Sequence, residues 1–219
     1  GRGTLQNQNY TTATDAFNTA VGHEAGNDVT TGTANTFVGG LAGDATDDGT
    51  NNTAMGYLAL SANCGNDNTA IGKASLQVAT GGGNVAVGKD SGLSLTSGEL
   101  NTFIGASAGD GTDDGNDNVA IGHQALSANA GDDNIAIGKD ALLVNVKNQN
   151  IAIGSHALDA DVNGGTSVAI GHNALTAQNP ATAVDMMNVA VGNSAGMSVT
   201  TGINNTFVGG GAGDATTTA

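Results

Sequence analysis

A five-residue pattern, Asn-[Thr/Val/Ile]-[Ala/Phe]-[Val/Ile/Met]-Gly, restricts what this 219-residue chain can fold into more than any other feature. It begins at Asn18, Asn35, Asn52, Asn68, Asn84, Asn101, Asn118, Asn134, Asn150, Asn188 and Asn205, and a twelfth copy begins at Ser167. The closing glycines stand 16 or 17 residues apart, except for a spacing of 21 between Gly171 and Gly192. A fixed period of this length marks a solenoid, in which each repeat is one unit stacked on the last. Three residues after each Gly comes Ala or Ser, and then Gly or Leu. Residues 18–40 match 84–106 at the motif positions, 66 residues later, so the chain is assembled from two-turn units of two kinds, Gly-ended and Leu-ended.

Alternation within the motif is the signature of a strand, and its β-branched residues suit a pleated surface. A strand of about five residues, a turn, a short second strand and a loop fill one coil. The class predicted is all-β: a parallel β-solenoid (β-roll) of about 12 coils, with strands about 4.8 Å apart and a rod of roughly 55–60 Å. Positions two and four share a face, and their Thr, Val, Ile and Met are expected to fill a narrow interior. Position three, Ala or Phe, then points outward. The Asn column is expected to form a hydrogen-bonded ladder. Residues 1–17 read as an N-terminal lead-in and 18–219 as the repeat domain. The chain starts and stops inside repetitive sequence, which predicts a fragment of a longer fibre.

An outward row of Ala and Phe is a continuous sticky patch on a lone rod. Burying it against copies of the same chain predicts a homotrimer, with Phe37, Phe103 and Phe207 plugging the shared axis.

Composition narrows the function classes. Gly is 36 of 219 with no three-residue period, which excludes collagen. Charged residues are only 11%, which argues against disorder. The net charge of −15 repels nucleic acid and anionic membrane, and no run of 18 apolar residues predicts a membrane span. A single cysteine, Cys64, rules out an internal disulfide framework.

The motif copies "NVAIG" at 118–122, "NIAIG" at 134–138 and 150–154, and "SVAIG" at 167–171 resemble the head repeats of YadA-type trimeric autotransporter adhesins. The resemblance covers residues 18–219. It implies a left-handed parallel β-roll, three chains around one axis, and a role in attachment. The coils here are longer than in those heads, and the "NTAIG…AL…TG…NNT" flavour is closer to repeats of phage tail-fibre-like proteins. Together these imply an extracellular fibre segment, on a virion tail or a bacterial surface, that attaches to a host-cell receptor, glycan or protein. A passive spacer that holds a separate binding tip away from its anchor is the alternative.

Few residues suggest chemistry. The loops carrying Asp44, Asp47 and Asp48, and Asp110, Asp113 and Asp114, offer carboxylates and carbonyls of the kind calcium takes, although no EF-hand spacing is present. His23, His123 and His172 follow the motif Gly but sit in coils one, seven and ten, so they do not stack. Thr alternates with Val and Ile at position two, which favours an interior face over an ice-matching one. A tailspike glycosidase needs paired carboxylates over a sugar groove; here Glu24 and Glu99 lie many coils apart, there is no Trp, and no enzymatic activity is predicted. The insertion at 176–187 breaks the period. Its Met186 and Met187 are expected to be exposed and adaptable, which marks it as a partner-contacting loop.

Overall fold

The computed structural model describes residues 1–218; Ala219, the last residue of the expected repeat domain, lies outside them. Fourteen short strands follow one another: β1 (Thr19–Val21), β2 (Thr36–Val38), β3 (Thr53–Met55), β4 (Thr69–Ile71), β5 (Val85–Val87), β6 (Thr102–Ile104), β7 (Val119–Ile121), β8 (Ile135–Ile137), β9 (Ile151–Ile153), β10 (Gly164–Gly165), β11 (Val168–Ile170), β12 (Val184–Asp185), β13 (Val189–Val191) and β14 (Thr206–Val208). All but β10 and β12 form one 12-stranded parallel sheet in chain order. Register is conserved throughout: Thr19 faces Thr36, Ala20 faces Phe37, and Val168 faces Val189. The chain is a parallel β-solenoid, and its described residues contain no helix.

Outside β10 and β12, which pair in a two-stranded sheet of their own, the rest of each coil is turns and bends rather than the full second strand column expected from the sequence. Left-handed residues punctuate it. In the second coil they are Gly39 (φ 141°), Leu41 (56°), Gly43 (59°) and Asn51 (60°). The motif glycine is required twice over. At Gly105, a Cβ would sit only 2.5 Å from the carbonyl oxygen of Gly122 in the next coil, and φ of 134° lies outside the range open to other residues. Stacked backbones leave that column no room for side chains.

The interior is the reverse of the sequence expectation. Position three points inward: Ala54, Ala70, Ala86 and their counterparts in the later coils are fully buried, and so are Phe37 and Phe103, while Ala20 and Phe207 in the end coils are partly buried against the same core. The three phenylalanines therefore fill the chain's own coils rather than an outward-facing seam. Positions two and four point outward instead, leaving Met55, Ile71, Ile104, Ile121, Ile170 and Val191 between 36% and 44% exposed. Space explains the inversion. The coil is so narrow that its interior takes either a small Ala opposite a Leu four coil-positions beyond the motif Gly, or a Phe opposite a Gly there.

Nine of the twelve coils follow this pairing, and the other three, with Ala20 and Gly26, Ala86 and Gly92, and Ala190 and Gly196, each stand directly before a Phe-bearing coil. Every coil ending in Leu60, Leu76, Leu126, Leu142, Leu158 or Leu175 has Ala at position three, and every Phe at position three has Gly both in its own coil and in the coil before. A Cβ on Gly26 would come within 2.8 Å of the Phe37 ring, and one on Gly109 within 2.6 Å of the Phe103 ring. The six leucines sit at φ between 48° and 55°. A left-handed residue costs about 1–2 kcal/mol. Full burial of a Leu side chain returns about 1.5–3 kcal/mol, so burial wins.

The lead-in is itself a partial coil. Leu5 donates its backbone N–H to Ala25, Asn7 to Asn27 and Asn9 to Thr30, capping the first coil with continuing ladder hydrogen bonds.

Candidate functional site

The Asn column closes each coil and joins it to the next. Asn35 donates its N–H to Asn18 Oδ1 (2.8 Å), while its own Nδ2 donates to Gly49 O (2.8 Å) in the loop ahead. The same pair of bonds recurs at Asn52, Asn68, Asn84, Asn101, Asn118 and Asn150. Buried backbone groups are thereby satisfied by a side chain that is itself satisfied.

Coil ten breaks this rule, and there the surface changes. Ser167 is too short to reach the loop, and Gln178, fully buried, takes over. Its Nε2 donates to Asp161 Oδ2 (2.5 Å) and to Ser167 Oγ (3.1 Å), and its Oε1 accepts from Asn188 Nδ2 (2.8 Å). Burial pushes the Asp161 carboxyl above its usual range, against the pull of hydrogen bonds from Gln178 and the Gly164 N–H. The insertion is thus part scaffold. Gln178, Pro180 and Met186 are buried, whereas residues 181–185 and Met187 are exposed. Met186 is fully buried, contrary to its expected place at a contact surface, because its backbone ties the insertion to the neighbouring coils: its N–H donates to Gly165 O (3.0 Å) and its O accepts from Asn204 N (2.8 Å).

The exposed part builds a groove. Strand β12 pairs in parallel with β10, setting Asp185 beside Gly165. Lys147, Asn148 and Gln149 from coil eight form the opposite wall, and the groove encloses about 460 Å³.

The aspartate loops serve a structural purpose. Asp47 Oδ1 accepts from Thr30 Oγ1 in the preceding coil, and its N–H donates to Asn63 Oδ1 in the next (3.0 Å). Asp113 repeats both contacts with Thr96 and Asn129. Asp48 and Asp114 are exposed neighbours, and Asp44 and Asp110 lie further back along the coil. Neither triplet converges, and among the described residues no group of three or more His, Cys, Asp or Glu side chains is placed to hold a metal ion. Burial, with the nearby carboxylates of Asp28 and Glu24, raises the Asp44 carboxyl, and its Oδ1 has no hydrogen-bond partner.

Two features escaped the sequence reading. The groove residues Lys147 and Asp185 are separated by two coils and meet only because of the insertion. The ionic patch on coils eight to ten is the other: Lys139 pairs with Asp140 (2.8 Å), His156 Nδ1 lies 3.1 Å from Asp159 Oδ2, and the His156 and His172 rings meet edge to face at 6.3 Å. A column-by-column alignment of the coils would have revealed the second, since Asp140 and His156 share a coil position.

No protein-family model matches the chain, and neither the curated proteins nor the solved structures searched contain a match.

Proposed function

We propose that the chain is a segment of an extracellular attachment fibre, built from three copies packed along the outward row of positions two and four. The observation that carries this reading is that row itself. Twelve consecutive coils place Val, Ile or Met at position four on the open face of the sheet, from Val21 to Val208. A monomer that displays an apolar stripe along its whole length has a surface to cover. An identical stripe on an identical rod, in identical register, covers it coil for coil. The resemblance to trimeric adhesin and tail-fibre repeats supplies the number three and the attachment role. Host attachment then follows from a stiff rod that presents the same loops on several sides, with avidity from repeated copies.

Mass measurement by light scattering tests the assembly: the expected particle has three times the 21.1 kDa of one chain. Beads coated with the chain and applied to bacterial and animal cells test attachment. A spacer is the second reading, favoured by the repetition of one motif along the chain from Asn18 to Gly209. Replacing the exposed residues 181–183 by glycines leaves the buried Gln178 and Met186 in place. A spacer loses nothing by this change, whereas a recognition segment loses cell binding.

A further inference from the structure

We propose that the groove between coils eight and ten binds a neutral saccharide unit; this assignment rests on the attachment reading and names its target chemistry. The groove exists because Gly165 has no side chain. A Cβ there would lie 3.1 Å from Asp185 Oδ1, 3.5 Å from Asn148 O and 3.9 Å from the Lys147 Cβ, so the missing side chain is the missing floor between the two walls. Its volume of about 460 Å³ falls within the range of small-ligand sites.

The polar groups that face it are unspent. Lys89 and Lys139 are each neutralised by the aspartate that follows them. Among the described residues, neither the Lys147 ammonium nor the Asp185 carboxylate makes an ion pair. One charge of each sign lines the groove, so an anion gains little locally and meets a chain of net charge −15. A cation meets Lys147. A hydroxyl suits both walls at once, because it accepts from the ammonium and donates to the carboxylate. The amide of Gln149 adds donors and an acceptor of the same kind. Ala183 and Val184, the latter 39% exposed, provide a small apolar surface for the C–H face of a sugar ring. A peptide partner would need a deep apolar pocket for an anchoring side chain, and the groove has none. With no aromatic ring to stack on, each site is weak, and useful attachment comes from several sites on one fibre.

The test is binding of the full chain to an immobilised array of neutral hexose and N-acetylhexosamine oligosaccharides, alongside sialylated and uronate-bearing ones. Expected is retention on neutral glycans that changes little with salt, and that falls about tenfold or more in Gly165→Val, which fills the floor, and in Asp185→Ala. Lys147→Ala, which removes no side-chain hydrogen bond or ion pair among the described residues, is the variant least disruptive to the fold, and it should weaken binding too. Preference for acidic glycans, neutral binding that survives all three substitutions, or no retention on any neutral glycan would each overturn the assignment. The coated-bead experiment separates the two levels: beads that adhere to cells while the array stays blank sink the saccharide site and leave attachment standing. Beads that fail to adhere sink attachment itself, whatever the array shows.

Discussion

At the scale of single residues, the interior is governed by a trade between two positions. Phe103 fills space that would otherwise hold two leucines, one in its own coil and one in the coil before, and Gly109 and Gly92 vacate it. Phe103→Ala therefore opens a cavity and should cost about 3–5 kcal/mol in chemical denaturation. Gly109→Leu alone should be similarly damaging, since a Cβ there would sit 2.6 Å from the ring. The double substitution Phe103→Ala/Gly109→Leu recreates the Ala–Leu pairing of the neighbouring coils and should be more stable than either single variant; a simple sum of the two losses would refute the pairing. A second residue-scale prediction concerns charge. Burial holds the carboxyls of Asp44 and Asp161 above their ordinary values. The protonated form is thus the one the fold favours, and the stability it contributes is present in full below the ordinary carboxyl range and lost as pH rises through the raised values. Thermal midpoints should therefore rise as pH is lowered from neutrality toward that window. Asp44→Asn should flatten this rise more than the same charge change at exposed Asp48→Asn.

At the scale of the coil, the Asn side chain does what a second strand would otherwise do. Removing it at Asn118 strands the Asn134 N–H, now satisfied at 2.9 Å, and leaves Gly131 O, which accepts from Asn118 at 2.8 Å, with only the longer bond from Asn134 Nδ2 at 3.3 Å. With about 1–3 kcal/mol lost per buried unpaired group, Asn118→Ala should cost roughly 2–5 kcal/mol in a urea titration. Asn118→Ser should recover little, because coil ten tolerates Ser167 only with Gln178 behind it. Period and motif made the parallel stack, its register, its turns and the Asn ladder legible from the sequence. The direction of the strand did not follow. Three alternating residues say that Ala and Val lie on opposite faces, not which face is inside, and ranking by hydrophobicity placed the larger Val and Ile there. The pairing of Phe with Gly and of Ala with Leu was the signal that decides it, and it lay in the same columns. Met186 was misplaced for a different reason: an insertion has no repeat partner from which its burial can be read.

At the scale of the molecule, charge and the apolar row pull in different directions. A net −15 spread along a thin rod repels itself, so moderate salt should raise the unfolding midpoint of the chain. The apolar row should respond to a single charge. Ile121→Asp at mid-rod projects to the outside, so the coil should keep its fold by circular dichroism while the particle falls toward the mass of one chain. A stable oligomer in that variant would place the interface elsewhere. The groove between coils eight and ten adds one irregular feature to an otherwise uniform surface, and its position far along the rod sets it apart from the coils before it.

The phenylalanine that spans two coils also limits how such a rod can change length over generations. A crossover that joins a Leu-ended coil directly beneath a Phe-bearing one would drive a leucine into the aromatic ring, whereas a crossover between complete pairs would leave every ring above its two glycines. Heritable changes in reach that touch a Phe-bearing coil should therefore come in steps of two coils, about 10 Å at the spacing of β-strands, and the rod carries within its core the unit in which those stretches can be lengthened.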